Sequence, residues 1–255
     1  MIDSVLLTTS KILTFADNNR LTNASGFFFE RDGRLFVITS RHVLRDDSSQ
    51  HFPDRIEIAL HTDEENLAEC VGFSMPLYAN RKSVWRQGED AGGPIDVAAI
   101  EIDRSQFPQE TALRTFKPEH LAMTSQGPRS IEIGAQLLIL GFPLGFQDSL
   151  HQIPVARHAI VASSYGFRFQ GRGYFLTDAR THRGSSGAPV IMRATANGGA
   201  LGNLPWLLLG IHSARLDLTS RDASADEVLG LNCAWYADIL MTLTETKAGA
   251  GGPGA

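Results

Sequence analysis

The chain has 255 residues, of which 43% are hydrophobic and 20% are charged. This is enough apolar material for a folded core, and it excludes disorder over the whole length. The 23 lysines and arginines against 28 aspartates and glutamates give a net charge of −5. That balance argues against a nucleic-acid-binding protein, which needs a basic surface, and it leaves peptides and small molecules as possible ligands.

The two cysteines, Cys70 and Cys233, predict neither a disulfide framework nor a zinc site. They lie far apart in apolar stretches, and the chain has no CxxC or HExxH motif. We therefore expect two buried free thiols in a reducing compartment, with no metal and no cofactor. The start of the chain lacks the features of a signal peptide, and no run of 18 apolar residues occurs, so we expect a cytoplasmic protein with no membrane partner.

Short apolar runs, rich in β-branched and aromatic residues, recur along the chain with turn signals between them. The first two, 26–29 and 35–39, flank Asp32-Gly33, a dipeptide typical of a tight hairpin turn. Most runs are too short for a helix, so they predict strands. Together they predict an all-β sandwich or barrel. The later predicted strands are 56–60, 70–78, 96–102, 133–140, 156–162, 173–176, 188–192, 207–211 and 229–234.

A polar stretch that contains three prolines, 103–128, predicts a division of the chain into two halves. We predict an N-terminal unit at 1–110, a linker at 111–127 and a C-terminal unit at 128–234. Helical periodicity is weak until residues 235–244, which predicts a short C-terminal helix over 235–247. The Gly-, Ala- and Pro-rich tail at 248–255 is expected to be disordered.

Three segments carry side chains suited to nucleophilic catalysis. His42 follows the apolar run 35–39, Asp96 opens the run 96–102, and a Gly-Ser-Ser-Gly turn occupies 184–187. Glycines allow such a turn to aim consecutive N–H groups at one point, as in an oxyanion hole. A serine there needs a base such as histidine, and the histidine needs a carboxylate to fix its tautomer. Each segment alone is more often structural, but their joint occurrence predicts a catalytic site.

In this order and on an all-β background, the three segments resemble the chymotrypsin-fold (trypsin-like) serine proteases. The resemblance covers nearly the whole chain, and the segments 177–189 and 140–145 are closest to the bacterial heat-stress branch. It implies two six-stranded β-barrels, the first with His42 and Asp96 and the second with Ser186, followed by a short C-terminal helix. It also implies a serine endopeptidase that acts on protein or peptide substrates.

The resemblance assigns a role to each matching residue. Ser186 is the expected nucleophile, His42 the general base, and Asp96 the carboxylate that orients His42. The N–H groups of Gly184 and Ser186 are expected to form the oxyanion hole. Ser213 is expected to support Asp96.

The expected pocket for P1, the substrate residue before the cleaved bond, contains Thr181 and His212. This pair resembles the bacterial glutamyl endopeptidases and the picornaviral chymotrypsin-like cysteine proteases. Arg215 stands at the expected rim, and the backbone of 213–215 is expected to bind the substrate as an added strand. We therefore expect Glu or Gln at P1, with Glu slightly favoured. The alternative is that His212 is a core residue and Arg215 a solvated charge.

Ser185 marks a departure from the family. Digestive members carry Asp at this position, where it pairs with a new amino terminus after cleavage. No cleavage motif is visible near the start of the chain, so activation by that route is not expected. We expect instead an enzyme that is active as made or is controlled by a regulatory or activating protein partner.

Two other functions remain as alternatives. The first is a catalytically silent module that binds a peptide strand on the same fold. The second is an α/β-hydrolase, because residues 184–188 nearly fit GxSxG. In that fold, however, the serine precedes the aspartate and histidine and lies between a strand and a helix, which disfavours it here.

Overall fold

The computed structural model describes residues 3–90, 92–108, 110–122, 131–194, 201–215 and 230–246. Within these ranges the chain is mostly β-structure, as predicted. Its strands are β1 Thr9–Ala16, β2 Asn19–Arg31, β3 Arg34–Thr39, β4 Arg55–His61, β5 Cys70–Pro76, β6 Tyr78–Ala79, β7 Lys82–Ser83, β8 Trp85–Asp90, β9 Gly93–Ile102, β10 Gln136–Gly141, β11 Val155–Val161, β12 Tyr174–Asp178, β13 Pro189–Arg193, β14 Trp206–Arg215 and β15 Leu231–Tyr236. The α-helices are α1 Arg41–Leu44 and α2 Ile239–Leu243, and 3₁₀ turns lie at Ser4–Thr8, Arg104–Gln106, Pro118–His120, Pro143–Gly145 and Phe169–Gly171.

Strands β2 and β3 form the hairpin predicted at Asp32-Gly33. Both turn residues have positive φ, 51° and 73°, and Arg31 pairs with Arg34 across the turn. Positive φ at both central positions is what a type I′ turn requires, and its twist matches that of the flanking strands. The hairpin fixes the register of β3, and the helix that carries His42 begins two residues after β3 ends.

The strands form a seven-stranded N-terminal sheet and a closed six-stranded C-terminal barrel. The order in the sheet is β5-β4-β1-β2-β3-β9-β8, and the order in the barrel is β10-β11-β12-β15-β14-β13. The all-β prediction and the second barrel are confirmed. The N-terminal unit differs from the predicted six-stranded barrel, because β5 adds a seventh strand and the ends β5 and β8 are not paired in the described part. The boundaries at 110 and 128 stay a prediction.

Each sheet encloses its own apolar core. Phe28, Val37 and Ile100 belong to the core of the N-terminal sheet. Phe175 and Leu209 belong to the core of the C-terminal barrel. The chain therefore buries apolar side chains separately in each half.

A third cluster joins the two halves, since β2, β3 and β9 bury both of their faces. Phe28 points into the N-terminal core, whereas its neighbours Phe27 and Phe29 pack in a cluster with Leu208 and Trp235 of the barrel. A strand buried on both faces has a continuous apolar sequence, which explains the unbroken runs at 26–29 and 35–39. The candidate site lies along this boundary.

The C-terminal helix is shorter than the predicted 235–247. Trp235 and Tyr236 extend β15, where they pair with Ile211 and Gly210 of β14. This pairing closes the barrel and buries both aromatic rings. Helix α2 begins only at Ile239, and the tail 248–255 lies outside the described residues.

Three further details differ from the sequence prediction. Strand β1 mixes polar and apolar residues, and β8 is mostly polar and forms one end of the sheet, so neither was among the predicted strands. Cys70 is half-buried rather than buried, because it opens β5 at the other end of the sheet. Of the predicted linker, Ala112 and Phe116 bridge to the N-terminal sheet, and residues 123–127 lie outside the described part. None of the helices that the structure describes is long and apolar enough to span a membrane.

Candidate active site

Helix α1 and strand β9 bring His42 beside Asp96. Strands β3 and β9 pair antiparallel, which places Thr39 opposite Ala98 next to the start of the helix. Asp96 Oδ1 accepts a hydrogen bond from the His42 backbone N–H at 2.8 Å, and His42 Nδ1 lies 2.7 Å from Asp96 Oδ2. One carboxylate therefore fixes both the backbone and the ring of His42.

The electrostatics of this pair favour an ionised Asp96 and a basic His42. Burial raises the pKa of Asp96, but the hydrogen bonds and charge of His42 outweigh it and lower that pKa below its usual value. Burial also lowers the pKa of His42, but the hydrogen bond and charge of Asp96 outweigh it, so that pKa is raised. Because a carboxylate only accepts hydrogen bonds, Nδ1 carries the proton, and Nε2 is left as the base.

Ser213 reaches the same carboxylate from the C-terminal barrel. It lies on β14, and its hydroxyl donates to Asp96 Oδ2. The carboxylate of Asp96 is therefore contacted from both halves of the chain. A hydrogen bond to an ionised group is stronger than a neutral one, so this contact helps to keep Asp96 charged.

The turn at 184–187, here called the serine turn, presents Ser186 to the cleft that contains His42. Gly184 has a φ of +92°, and a Cβ there would lie 2.4 Å from Phe142 O, so no other residue fits without a shift of the backbone. Ser186, His42 and Gly184 line a cavity of about 860 Å³. Within the described ranges the His42 side chain bonds to Asp96, and no hydrogen bond joins it to Ser186.

The N–H groups of Gly184 and Ser186 donate no hydrogen bond within the described part of the chain. Arg183 O, which belongs to the same peptide unit as Gly184 N–H, accepts a hydrogen bond from Leu144 N–H at 2.5 Å. Ser185 O, which belongs to the same peptide unit as Ser186 N–H, accepts one from Ala188 N–H at 3.0 Å. The C=O and N–H of one trans peptide point in opposite directions, so these bonds also orient the two N–H groups. Two free donors beside one serine can bind a developing oxyanion.

The residues expected in the P1 pocket contact other groups rather than each other. Thr181 Oγ1 donates to Asn232 Oδ1 at 2.6 Å, and Asn232 is 3% exposed. His212 is also 3% exposed, and its Nδ1 has no hydrogen-bond partner in the described structure. Burial, and then the charge of nearby His42, lowers the pKa of His212 to about 4. Arg215 ends β14 opposite Asn232, but its side chain lies outside the described part.

Asn232 was not among the residues that the sequence predicts for the site. Its side chain donates to the carbonyls of Ala179 and Gly230 at 2.7 and 3.0 Å, which leaves Oδ1 to accept from Thr181. A polar residue inside the apolar run 229–234 was the available signal. Its partners could not be read from that signal, because they depend on the pairing of strands.

No metal site is visible among the side chains that the structure describes. No group of three or more His, Cys, Asp and Glu could hold an ion there. Both cysteines are free thiols.

The chain is similar to known peptidase domains. The family model for the trypsin-like peptidase domain matches residues 24–197, a span that includes His42, Asp96 and Ser186. No curated protein matches. A serine endoprotease from Yersinia pestis superposes with a TM-score of 0.52 at 14% identity, over 93% of this chain and 61% of that chain. The Rv3671c protease of M. tuberculosis H37Rv, in an inactive form, gives 0.49 at 17% identity, over 93% and 87%. At these identities the likeness extends to the fold alone, and the chain spans less than two thirds of the Yersinia protein.

Proposed function

Because the chain belongs to the trypsin-like peptidase domain family, we propose that it is a serine endopeptidase that cleaves protein or peptide substrates. The observation that carries this proposal is the hydrogen bond of His42 to Asp96, because His42 lines the same cleft as Ser186. The pair supplies a base of fixed tautomer, and the serine turn supplies a nucleophile with two free N–H donors beside it.

The first half of the reaction forms an acyl-enzyme. Ser186 Oγ attacks the peptide carbonyl carbon, while His42 Nε2 takes the hydroxyl proton. Asp96 stabilises the resulting imidazolium. The carbonyl oxygen becomes an oxyanion and accepts hydrogen bonds from the N–H groups of Gly184 and Ser186. His42 then gives the proton to the leaving nitrogen as the C–N bond breaks.

The second half hydrolyses the acyl-enzyme. Water attacks the ester carbon, with His42 Nε2 again as the base, and the ester oxygen leaves with a proton from His42. The oxyanion donors act twice, once in each half. Each donor of this kind typically contributes about 10²–10³ to the rate.

The proposed P1 residue is Glu or Gln. Asn232 and His212 are buried polar residues, Thr181 is half-buried, and the Nδ1 of His212 lacks a hydrogen-bond partner in the described structure. The lowered pKa of His212 keeps the ring neutral near pH 7. A neutral ring suits the uncharged amide of Gln better than the carboxylate of Glu, so the electrostatics favour Gln.

Control by a second protein and a cytoplasmic location are also part of the proposal. Ser185 offers no carboxylate to pair with a new amino terminus, and the two free thiols fit a reducing compartment. A protein partner that contacts the 142–145 loop could act on the oxyanion N–H groups, because Leu144 N–H bonds to Arg183 O, the carbonyl of the peptide that contains Gly184 N–H. Strong autonomous cleavage by the purified chain would contradict this control.

A fluorophosphonate probe tests the proposed activity. The wild type is expected to label at Ser186, and the variants Ser186→Ala and His42→Ala are not. Loss of either residue in such a site typically costs about 10⁶ in kcat, so the contrast is large. The matched controls are Ser10→Ala and His158→Ala, which change a serine and an exposed histidine outside the cleft and keep labelling.

Absence of labelling in the folded wild-type protein alone would contradict an enzyme that is active as made and would favour control by a partner; absence of labelling when cell extract is added as well would contradict the endopeptidase. That result, combined with binding of an extended peptide, would favour the catalytically silent binding module. Circular dichroism confirms that each variant is folded before its labelling is compared.

A further inference from the structure

Ser25, a buried residue of the N-terminal sheet, holds the serine turn at two points. It lies on β2 and is fully buried. Its hydroxyl donates to Gly184 O at 2.7 Å, and its N–H donates to Ser186 O at 2.9 Å. One residue outside the turn therefore fixes the carbonyls of both residues whose N–H groups form the proposed oxyanion hole.

The same hydroxyl also binds a third segment. Phe142 N–H donates to Ser25 Oγ at 3.0 Å. Since an N–H can only donate, the hydroxyl proton is directed to Gly184 O. The loop that contains Phe142 also supplies Leu144 N–H, which bonds to Arg183 O and so orients Gly184 N–H. Ser25 thus links the 142–145 loop to the serine turn, and the same loop orients the Gly184 N–H of that turn.

Neighbouring groups hold the backbone and the side chain of Ser25 in one orientation. Thr39 Oγ1 donates to Ser25 O at 2.9 Å, so the N–H, the carbonyl and the hydroxyl are all bonded. A Cβ at Gly141 would lie 2.6 Å from Ser25 Oγ, and one at Gly187 would lie 2.2 Å from Ser25 O. Such close approach, from two separate glycines, indicates that the contact is tightly fitted.

We propose that Ser25 is a positioning residue that holds the oxyanion hole in its productive geometry, an inference that rests on the proposed endopeptidase function. In the described structure the hydrogen bonds of Ser25 reach neither His42 nor Asp96, so Ser25 acts through Gly184 and the 142–145 loop. Oxyanion donors stabilise charge that exists only near the transition state. Loss of the Ser25 hydroxyl therefore slows the chemical step and leaves initial binding unchanged.

Fluorophosphonate labelling measures this directly, because the phosphoryl oxygen occupies the oxyanion hole while Ser186 Oγ displaces fluoride. Rates over a range of probe concentrations separate kinact, the chemical step, from KI, the initial binding. For Ser25→Ala we expect kinact to fall about 10–100-fold, less than the loss of a whole donor, with KI unchanged. The pH midpoint of kinact stays at the wild-type value, because the His42–Asp96 pair keeps its contacts.

Ser10→Ala is the matched control. Ser10 is 7% exposed on the neighbouring strand β1, and its hydroxyl donates to Ala59 O at 3.0 Å, away from the serine turn. Both variants lose one buried hydroxyl, so both lower Tm, but Ser10→Ala keeps the wild-type kinact. Ser25→Cys fills the same space with a weak donor and is expected to show a reduced kinact even if Ser25→Ala does not fold.

The outcomes separate this inference from the proposed function. Wild-type kinact in folded Ser25→Ala and Ser25→Cys overturns the positioning role and leaves the endopeptidase intact. A change in KI alone, or a shift of the pH midpoint, assigns Ser25 to binding or to the His42–Asp96 pair and also overturns it. Failure of both variants to fold assigns Ser25 to stability alone. A wild-type protein that does not label, either alone or with cell extract added, overturns the endopeptidase, and the inference falls with it.

Discussion

Ser213 and Asp96 lie on different sheets, yet the Ser213 hydroxyl donates to Oδ2 of Asp96, the same oxygen that bonds to His42 Nδ1. The carboxylate is therefore held from both halves of the molecule. With the backbone N–H of His42 it has three donors, which explains why its pKa is lowered in spite of its burial. The base is oriented across the boundary without any contribution from a substrate.

Replacement of Asp96 by Asn should lower kcat by about 10⁴-fold, the usual effect of losing this carboxylate in such a triad. Asp96 raises the pKa of His42, and activity needs the neutral ring, so activity is lost as pH falls through that raised pKa. In Asp96→Asn the low-pH limb of kcat/KM should move to lower pH. Asp103→Asn, which changes an exposed turn carboxylate, is the control. An unmoved limb in Asp96→Asn would contradict the assignment of His42 as the base.

His212 should make the protein less stable in acid. Its folded pKa of about 4 lies below the ordinary 6.5, so the unfolded chain binds the proton first as pH falls. Stability is then lost between about pH 6.5 and pH 4, by about 3 kcal/mol at most. Urea unfolding at pH 7 and pH 4.5 measures this loss. His212→Leu should reduce it and the exposed His158→Ala should not, whereas equal losses in wild type and His212→Leu would count against the effect.

Gly184→Ala should slow labelling strongly, whereas Gly33→Ala should keep the wild-type labelling rate. Both glycines have positive φ, +92° and +73°, so each substitution is expected to lower the free energy of unfolding by about 1–2 kcal/mol. Only at Gly184 would the new Cβ meet a backbone atom, Phe142 O at 2.4 Å, and nothing lies within 4 Å of a Cβ at Gly33. The serine turn must move in the first variant, and labelling should fall by about 10²-fold or more. Equal labelling rates in the two variants would show that the turn tolerates the shift.

Thr181→Val should weaken discrimination at P1. The substitution keeps the shape but removes the donor to Asn232 Oδ1, which leaves a buried acceptor without its partner. The ratio of kcat/KM for Gln over Leu at P1 should fall by about tenfold, as measured with a P1-diversified peptide library. Thr111→Val is the control, because this half-buried hydroxyl donates to Pro108 O and does not line the cleft of Ser186. A wild-type protein that prefers Arg or a large apolar residue at P1 would contradict the proposed polar P1 pocket.

Local signals in the sequence were sufficient for the fold class and for the three segments of the site. The Asp32-Gly33 hairpin depends only on the φ preferences of two adjacent residues, and the structure has it. The serine turn was found because its glycines and serines are consecutive. His42 and Asp96 were found as residue types next to strands, and their contact follows from the pairing of β3 with β9.

The contacts that the sequence did not predict join residues far apart in the chain. Ser25 and Gly184 are 159 positions apart, and Thr181 and Asn232 are 51 apart. Such contacts depend on the register of paired strands and on how the two halves pack, which no local window contains. The extension of β15 to Tyr236 has the same origin, since its pairing with Gly210 of β14 outweighs the local helical pattern.

The apolar cluster between the two halves has a consequence for synthesis of the chain. A growing polypeptide that has emerged to residue 180 contains His42 and Asp96, but it has neither Ser186, the proposed nucleophile, nor the strand that carries Ser213. Phe27 and Phe29 would lack the Leu208 and Trp235 side chains that cover them in the finished molecule. The proposed peptidase activity and the burial of these rings therefore both require the last strands of the barrel, so we expect a chain that lacks them to be inactive and prone to aggregate.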